Sequence, residues 1–135
     1  NACVPEGCPV GSSIGNGISE MLYIGDGRFL ILERCFDGKS ASAKLYETRI
    51  TKQATDINGP AFKYLEKPVA FRPLPKQEVF NFSSVKGLKT DNVEAMTWGP
   101  DRKTLVVMSD DNYKPAKQKT QWIVLRVTAG ADRVP

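Results

Sequence analysis

Acidic and amide side chains flank two neighbouring apolar segments in the C-terminal half of the chain. Asp91, Asn92 and Glu94 open one segment, and Asp110 and Asp111 follow the end of the next. In an antiparallel hairpin the start of one strand lies beside the end of its partner, so these side chains should approach each other. Their oxygens could bind a hard cation, best calcium or magnesium. Asp and Asn also build turns, which is the alternative role here.

The chain contains no histidine among its 135 residues. This absence excludes Ser-His-Asp and Cys-His catalysis and the usual zinc sites. Any proton transfer must therefore use carboxylates, Lys, Tyr, Cys or a metal-bound water. The acidic cluster is the best candidate for such chemistry.

The composition indicates one globular domain with a mildly basic balance. Hydrophobic residues make up 41% of the chain, charged residues 25%, and the net charge is +4. This charge suits anionic partners, but the lysines are not interleaved with aromatic residues, so no nucleic-acid partner is predicted.

No apolar run of about 18 residues is present, so no membrane span is predicted. The segment GNGISE lacks the third glycine of a dinucleotide motif, so no nucleotide cofactor is predicted.

The cysteines and one short motif indicate whether the protein is secreted. Cys3 and Cys8 could close a small loop, which would leave Cys35 unpaired or bonded outside this chain. Asn81-Phe82-Ser83 is a glycosylation sequon, which weakly supports secretion. The chain begins at Asn1 without a signal-peptide pattern, so any targeting segment is expected to have been removed or to lie outside this sequence. The odd cysteine count and the sequon together weakly favour a secreted glycoprotein.

Short apolar segments separated by turn residues predict an all-β fold. A Gly/Pro/Ser-rich segment at 1–16 should precede a domain at 17–135, with tight turns at 25–28 and 100–103. Met21, Met96, Trp98 and Trp122 fall on strands and are predicted core residues. The predicted strands are 19–24, 29–33, 44–50, 62–71, 78–82, 93–99, 104–109 and 121–127.

A three-strand meander recurs at an offset of about 75 residues, where Ile18 matches Val93 and Leu30 matches Leu105. The third strands, KLYETRI and QWIVLRV, match after a small shift. Repeated antiparallel meanders are what a β-propeller needs, but a sandwich or barrel can be built from the same hairpins, so periodicity alone leaves these folds open. A closed propeller needs at least about four blades of roughly 40–50 residues, so this chain should form an incomplete propeller.

Four groups of residues occur along the chain in the order Leu32-Glu33-Arg34, Leu45-Tyr46-Glu47 with Ala54-Thr55-Asp56, Asp91–Ala95, and Ser109–Tyr113 with Thr120-Gln121. In this order they resemble the motifs of the esterase-like phytase domain family. The family carries Gly where this chain has Ala95, and its domain is roughly twice as long, so the chain resembles its C-terminal half.

The resemblance implies a propeller-like fold and a secreted or periplasmic phosphoester hydrolase that depends on a metal, with calcium the expected ion. Its partner would be a phosphorylated small molecule such as an inositol phosphate. A missing half-domain chain or self-association would complete the ring. The alternatives are a noncatalytic binding or inhibitory protein on the same β scaffold, and a structural piece that assembles with its own copies.

The site residues that follow from the motifs and the resemblance fall into three groups. The predicted metal ligands are Asp110, Asp111 and Glu94. The predicted catalytic residues are Glu94, Asp110 and Glu33, and the predicted substrate-binding residues are Arg34, Asn92, Asn112, Lys114 and Lys117.

Overall fold

The computed structural model describes residues 15–64, 70–114 and 116–128, and these ranges contain seven β-strands and no α-helix. Two short 3₁₀ helices occupy Pro60–Phe62 and Phe82–Ser84. The all-β prediction is therefore confirmed. The strands are β1 (Gly15–Gly25), β2 (Arg28–Phe36), β3 (Ala41–Arg49), β4 (Lys76–Asn81), β5 (Val93–Trp98), β6 (Thr104–Ser109) and β7 (Trp122–Arg126).

The strands form two antiparallel meanders. One sheet has four strands in the order β1-β2-β3-β4, and the other has three in the order β5-β6-β7. Leu32 lies opposite Leu45 in the first sheet, and Val107 lies opposite Ile123 in the second. The described residues show no closed propeller or barrel, so the propeller remains a prediction.

The predicted strand at 62–71 is wrong in its described part. Residues 62–64 and 70–71 are not in a strand, and 65–69 lie outside the described residues. Pro60 starts a 3₁₀ turn whose last hydrogen bond runs from the Lys63 N–H to the Pro60 carbonyl, at 3.3 Å. Proline favours such a start because its ring fixes φ and it needs no N–H partner there.

Both predicted tight turns are confirmed. The first depends on positive φ angles, and the second depends on hydrogen bonds to a side chain. Asp26 and Gly27 have φ of 53° and 67°, the positive values that a two-residue type I′ hairpin loop requires. In the second turn the Asp101 carboxylate accepts hydrogen bonds from the N–H groups of Lys103 and Thr104, at 3.0 and 2.9 Å. The Thr104 hydroxyl donates a third, at 2.8 Å.

One face of each sheet contributes to a shared core. Leu32 and Leu45 of the first sheet belong to the same buried cluster as Val93, Leu105 and Val107 of the second. The side chains of alternate residues point to opposite faces of a strand, so this face carries the apolar positions of both meanders.

The prediction of four core residues is right for two of them. Met96 is buried and Trp98 packs against the core, whereas Met21 and Trp122 are 56% and 69% exposed. Met21 pairs with Ile31, and Trp122 pairs with Met108, on the sheet faces that point away from the shared core.

Cys35 on β2 is buried and disulfide-bonded, and its partner lies outside the described residues, as do Cys3 and Cys8. The alternative in which Cys35 stays unpaired is therefore wrong. Spacing along the sequence does not decide cysteine pairing, because a disulfide depends on the Cα–Cα distance in the fold. In the described part of the chain, no helix is long and apolar enough to cross a membrane.

Phe82 should be one of the main contributors to stability. It is fully buried in the core cluster and packs edge-to-face with Phe80 at a centroid distance of 5.0 Å. We expect Phe82→Ala to lower the free energy of unfolding by about 3–5 kcal/mol, measured by urea denaturation. Val79→Thr, at a 48% exposed position on β4, should change it by about 0.5 kcal/mol or less. A loss below about 1 kcal/mol for Phe82→Ala would contradict this packing.

The Asp101 turn should stabilise the fold less at acidic pH than at neutral pH. The N–H of Lys103 and the hydroxyl of Thr104 hold the pKa of Asp101 below its ordinary value of 3.8. Because the folded-state pKa is lowered, the stabilisation is present above the unfolded pKa of about 3.9 and is lost as the pH falls through the folded value.

Asp101→Ala should therefore lower the melting temperature at pH 7, and its difference from the wild type should shrink between about pH 4 and pH 2. Asp101→Asn keeps an acceptor oxygen but does not titrate, so it separates the charge from the hydrogen bond. A difference that stays constant down to pH 2 would contradict the role of the charged carboxylate.

Candidate functional site

A cavity of about 1030 Å³ lies where the end of β2 meets the segment that leads into β5. Its lining carries five basic side chains against two acidic ones, so the charge favours an anionic ligand. The basic residues are Arg34, Lys39, Lys89, Lys114 and Lys117, and the acidic ones are Asp91 and Glu94.

Arg34 occupies a closed network at the junction of the two sheets. Its Nη2 lies 3.2 Å from Oε1 of Glu94, and its Nη1 donates a hydrogen bond to Oδ1 of Asn92. Asn92 Nδ2 donates to the same Glu94 oxygen at 2.6 Å. The guanidinium is thus held in a fixed orientation, while 42% of the Arg34 side chain stays exposed. It has five N–H donors, and these contacts use two of them.

Asp91 connects this network to the loop that follows β6. Its carboxylate accepts hydrogen bonds from Gln118 Nε2 at 3.0 Å, from the Asn92 N–H at 2.8 Å and from the Lys119 N–H at 3.3 Å. The Asp91 N–H donates to Gln121 Oε1 at 2.9 Å. Asp91 therefore holds the loop in place against the start of β5.

The loop after β6 presents polar side chains to the cavity through a tight turn. Asp111 begins the turn, because its Oδ1 accepts the Tyr113 N–H at 3.0 Å and its carbonyl accepts the Lys114 N–H at 2.8 Å. Asn112 and Tyr113 have positive φ of 50° and 56°, a conformation that Asn tolerates better than most residues. The turn places Asn112, Lys114 and Lys117 in the cavity lining.

A second turn positions Lys39. The Asp37 Oδ1 accepts hydrogen bonds from the N–H groups of Ser40 and Lys39, at 2.7 and 2.8 Å. These two bonds, that of Ser40 first, hold the pKa of Asp37 below its ordinary value. The turn between β2 and β3 thus places Lys39 and Ser40 on the cavity rim.

The structure brings most of the predicted site residues together. Asp110 lies beside the network, since its N–H donates to the Asn92 carbonyl at 2.9 Å, but neither its side chain nor that of Asp111 lines the cavity. The predicted residues that do line it are Glu94, Arg34, Asn92, Asn112, Lys114 and Lys117.

Glu33 lies on the opposite face of β2 from its neighbour Arg34 and does not line the cavity. It is 3% exposed and accepts a hydrogen bond from Lys76 Nζ, while its Oε2 has no hydrogen-bond partner. Lys76 Nζ also lies 4.1 Å from the centroid of the Tyr46 ring. Burial of that ring raises the pKa of Tyr46 above 10.0.

The described acidic side chains at this junction are too few and too dispersed for the oxygen ligands that calcium requires. Among the described residues, no three or more His, Cys, Asp or Glu side chains are grouped so that they could hold a metal ion. The Glu94 carboxylate is paired with the Arg34 guanidinium instead, and a fixed positive charge disfavours a cation nearby. The described side chains therefore do not form a calcium cage by themselves.

Among the five basic lining residues, sequence reasoning missed Lys39 and Lys89. It also missed Gln118 and the connecting role of Asp91. Lys39 follows an Asp-Gly pair, which is a turn signal, but nothing in the sequence shows that this turn meets the start of β5. Contacts between residues far apart in sequence, such as Asp91 with Gln118, depend on the packing of the two sheets.

Comparison with known proteins adds the family. No curated protein and no solved structure matches the chain. The model of the phytase-like family, described as esterase-like activity of phytase, matches residues 5–113, which is most of the sequence. The segments that carry Arg34, Asn92, Glu94 and Asn112 all fall inside this match. The chain therefore belongs to the phytase-like family.

Proposed function

We propose that this chain is a phosphoester hydrolase of the phytase-like kind that binds a phosphorylated small molecule, such as an inositol phosphate, in the cavity beside Arg34. The observation that carries the proposal is the cavity lining, which has five basic side chains and an arginine fixed in orientation by Glu94 and Asn92. Membership of the phytase-like family supports hydrolysis as the reaction.

In this proposal the arginine and the lysines bind different phosphate groups of the ligand. The Arg34 guanidinium suits a phosphate group, because its planar N–H donors match two phosphate oxygens. Lys39 lies in the turn between β2 and β3, and Lys89 lies in the segment that leads into β5. Lys114 and Lys117 come from the loop after β6. Lysines on separate segments could contact several phosphates of one ligand, which favours a ligand with more than one phosphate.

Glu94 is the residue that we propose as the general base. Its carboxylate lies 3.2 Å from Arg34 Nη2 and lines the cavity, so it would lie beside a phosphate held by the guanidinium. It would accept a proton from the attacking water, while Arg34 and the lysines stabilise the charge on the phosphoryl oxygens. Asp110 and Glu33 receive no step in this proposal, because neither side chain lines the cavity.

Secretion and an incomplete propeller form part of the same proposal. The disulfide at Cys35 supports an oxidising compartment, where such bonds persist. The contact of β1 and β2 with β5 is what two adjacent blades would provide, since the first strands of blades lie around a common axis. Completion of the ring would require further strands, from a missing half-domain chain or from another copy of this one.

Removal of the Arg34 charge should weaken phosphate binding strongly. A hydrogen bond to a charged group contributes about 1.5–3 kcal/mol, so Arg34→Met should lower the affinity for inorganic phosphate about 10- to 100-fold. The measurement is inhibition of phosphate release from p-nitrophenyl phosphate, together with KM for inositol hexakisphosphate. Lys114→Gln with Lys117→Gln should raise KM for the hexakisphosphate more than for p-nitrophenyl phosphate.

The matched control is Lys103→Gln, which removes an exposed lysine from the β5–β6 turn, outside the cavity lining. Its kinetics should equal those of the wild type. Equal loss in Lys103→Gln and in the cavity variants would contradict a specific site. Tight binding of the hexakisphosphate with no phosphate release from either substrate would favour the noncatalytic binding protein over the enzyme.

Calcium stays a prediction from the sequence, and no catalytic step depends on it here. If Asp110, Asp111 and Glu94 bind calcium as predicted, millimolar calcium should raise the melting temperature of the wild type, and Asp110→Asn should remove that rise. Sodium chloride at the same ionic strength controls for charge screening. Identical calcium curves for the two proteins would exclude Asp110 as a ligand.

A further inference from the structure

The strand β7 forms an edge of the three-stranded sheet, and no further strand pairs with it among the described residues. The Ser109 N–H donates to the Gln121 carbonyl at 3.0 Å, and the Val127 N–H donates to the Lys103 carbonyl at 2.9 Å. Hydrogen-bonded pairs alternate along an antiparallel ladder, so residues 123 and 125 also bond to β6. The backbone groups of residues 122, 124 and 126 therefore point away from the sheet.

The side chains at the same three positions are also exposed. Trp122 is 69% exposed, Val124 is 63% exposed, and Arg126 is also exposed. Edge strands that remain unpaired usually carry charges that prevent pairing with another chain. β7 carries a single charged residue, at its end, and its exposed positions read Trp-Val-Arg.

The other sheet shows how the equivalent edge is covered. The internal repeat matches β7 with β3, and β3 pairs along its outer edge with β4, where Leu45 lies opposite Phe80. β4 is itself an edge strand, but it carries Lys76 and Glu78. The described residues provide β7 with neither a covering strand nor internal charges.

We propose that β7 pairs antiparallel with β7 of a second copy of this chain, about a two-fold axis at Val124. This register places Trp122 opposite Arg126 of the partner subunit, and the reverse contact follows from the symmetry. A guanidinium on an indole face is a favourable cation–π pair. Val124 faces its own copy, and the two three-stranded sheets join into one of six strands.

The exposed side chains of β7 are complementary to those of an antiparallel copy of β7, which favours a second copy of this chain as the partner. The cation and the aromatic ring lie at equal distances on either side of Val124, two residues away in each direction. Antiparallel pairing of the strand with itself therefore satisfies both side chains and all three outward-facing backbone units. A strand of unrelated sequence would satisfy the backbone alone.

Sedimentation velocity of the 135-residue chain tests the proposal over a range of concentrations. The wild type should reach twice the 14.9 kDa chain mass, and Val124→Lys should weaken the dimer about tenfold or more, because two ammonium groups then face each other. Val79→Lys makes the same change at an exposed valine of β4 and should leave the dimer intact. Electrophoresis without reductant must show monomers, so that a disulfide-linked dimer is excluded.

Amide hydrogen exchange provides a second readout that does not depend on a variant folding. The N–H groups of Trp122, Val124 and Arg126 should exchange more slowly as the wild-type concentration rises, because each becomes hydrogen-bonded in the dimer. A wild type that stays monomeric up to about 1 mM, with fast exchange at all three amides, would overturn the proposal. A dimer that Val124→Lys does not weaken would also overturn it.

Discussion

The packing of one face of each meander into a shared core is the constraint on which the other features depend. Leu32 and Leu45 of the first sheet are buried with Val107 of the second, and this contact fixes the two sheets relative to each other. It brings the end of β2 beside the start of β5, two segments that are 58 residues apart at the Arg34–Asn92 hydrogen bond. The cavity lies at this junction, where Leu88, which packs against the core, lines it together with polar side chains.

The Arg34–Glu94 pair matters more for position than for stability. Both side chains are more than a third exposed, and ion pairs of that kind contribute about 0–1 kcal/mol. Its effect is geometric, because Glu94 and Asn92 together fix the orientation of a guanidinium in a lining with excess positive charge. Such fixed donors suit the recognition of an anion that carries charge on several oxygens.

The sequence predicted the strands well, because each meander carries its own pattern of apolar positions and turn residues. Asp-Gly at 26–27 and Asp101 specify their turns locally, and both turns occur as predicted. It also named Arg34 and Glu94 as candidate site residues, and the structure pairs them, although nothing local in the sequence shows that they touch.

Three features required the tertiary structure. Glu33 adjoins Arg34 in sequence, yet the pleat turns its side chain to the opposite face of β2. Trp122 has the residue type of a core position, but the face that it occupies has no covering sheet among the described residues. Lys39 reaches the cavity only because the packing of the sheets brings its turn toward β5.

The edge strand and the cavity are connected through one residue. Gln121 immediately precedes β7, and its side chain accepts the Asp91 N–H and donates to the Lys89 carbonyl, each at 2.9 Å. Asp91 in turn holds Gln118 and the Lys119 N–H, so the lysine-bearing loop is anchored through the same point. Pairing of β7 with a second copy would restrain the backbone next to Gln121 and thus limit the motion of Asp91. Because a preorganised site loses less conformational entropy on binding, a dimer through β7 would hold a phosphorylated ligand more tightly than the monomer.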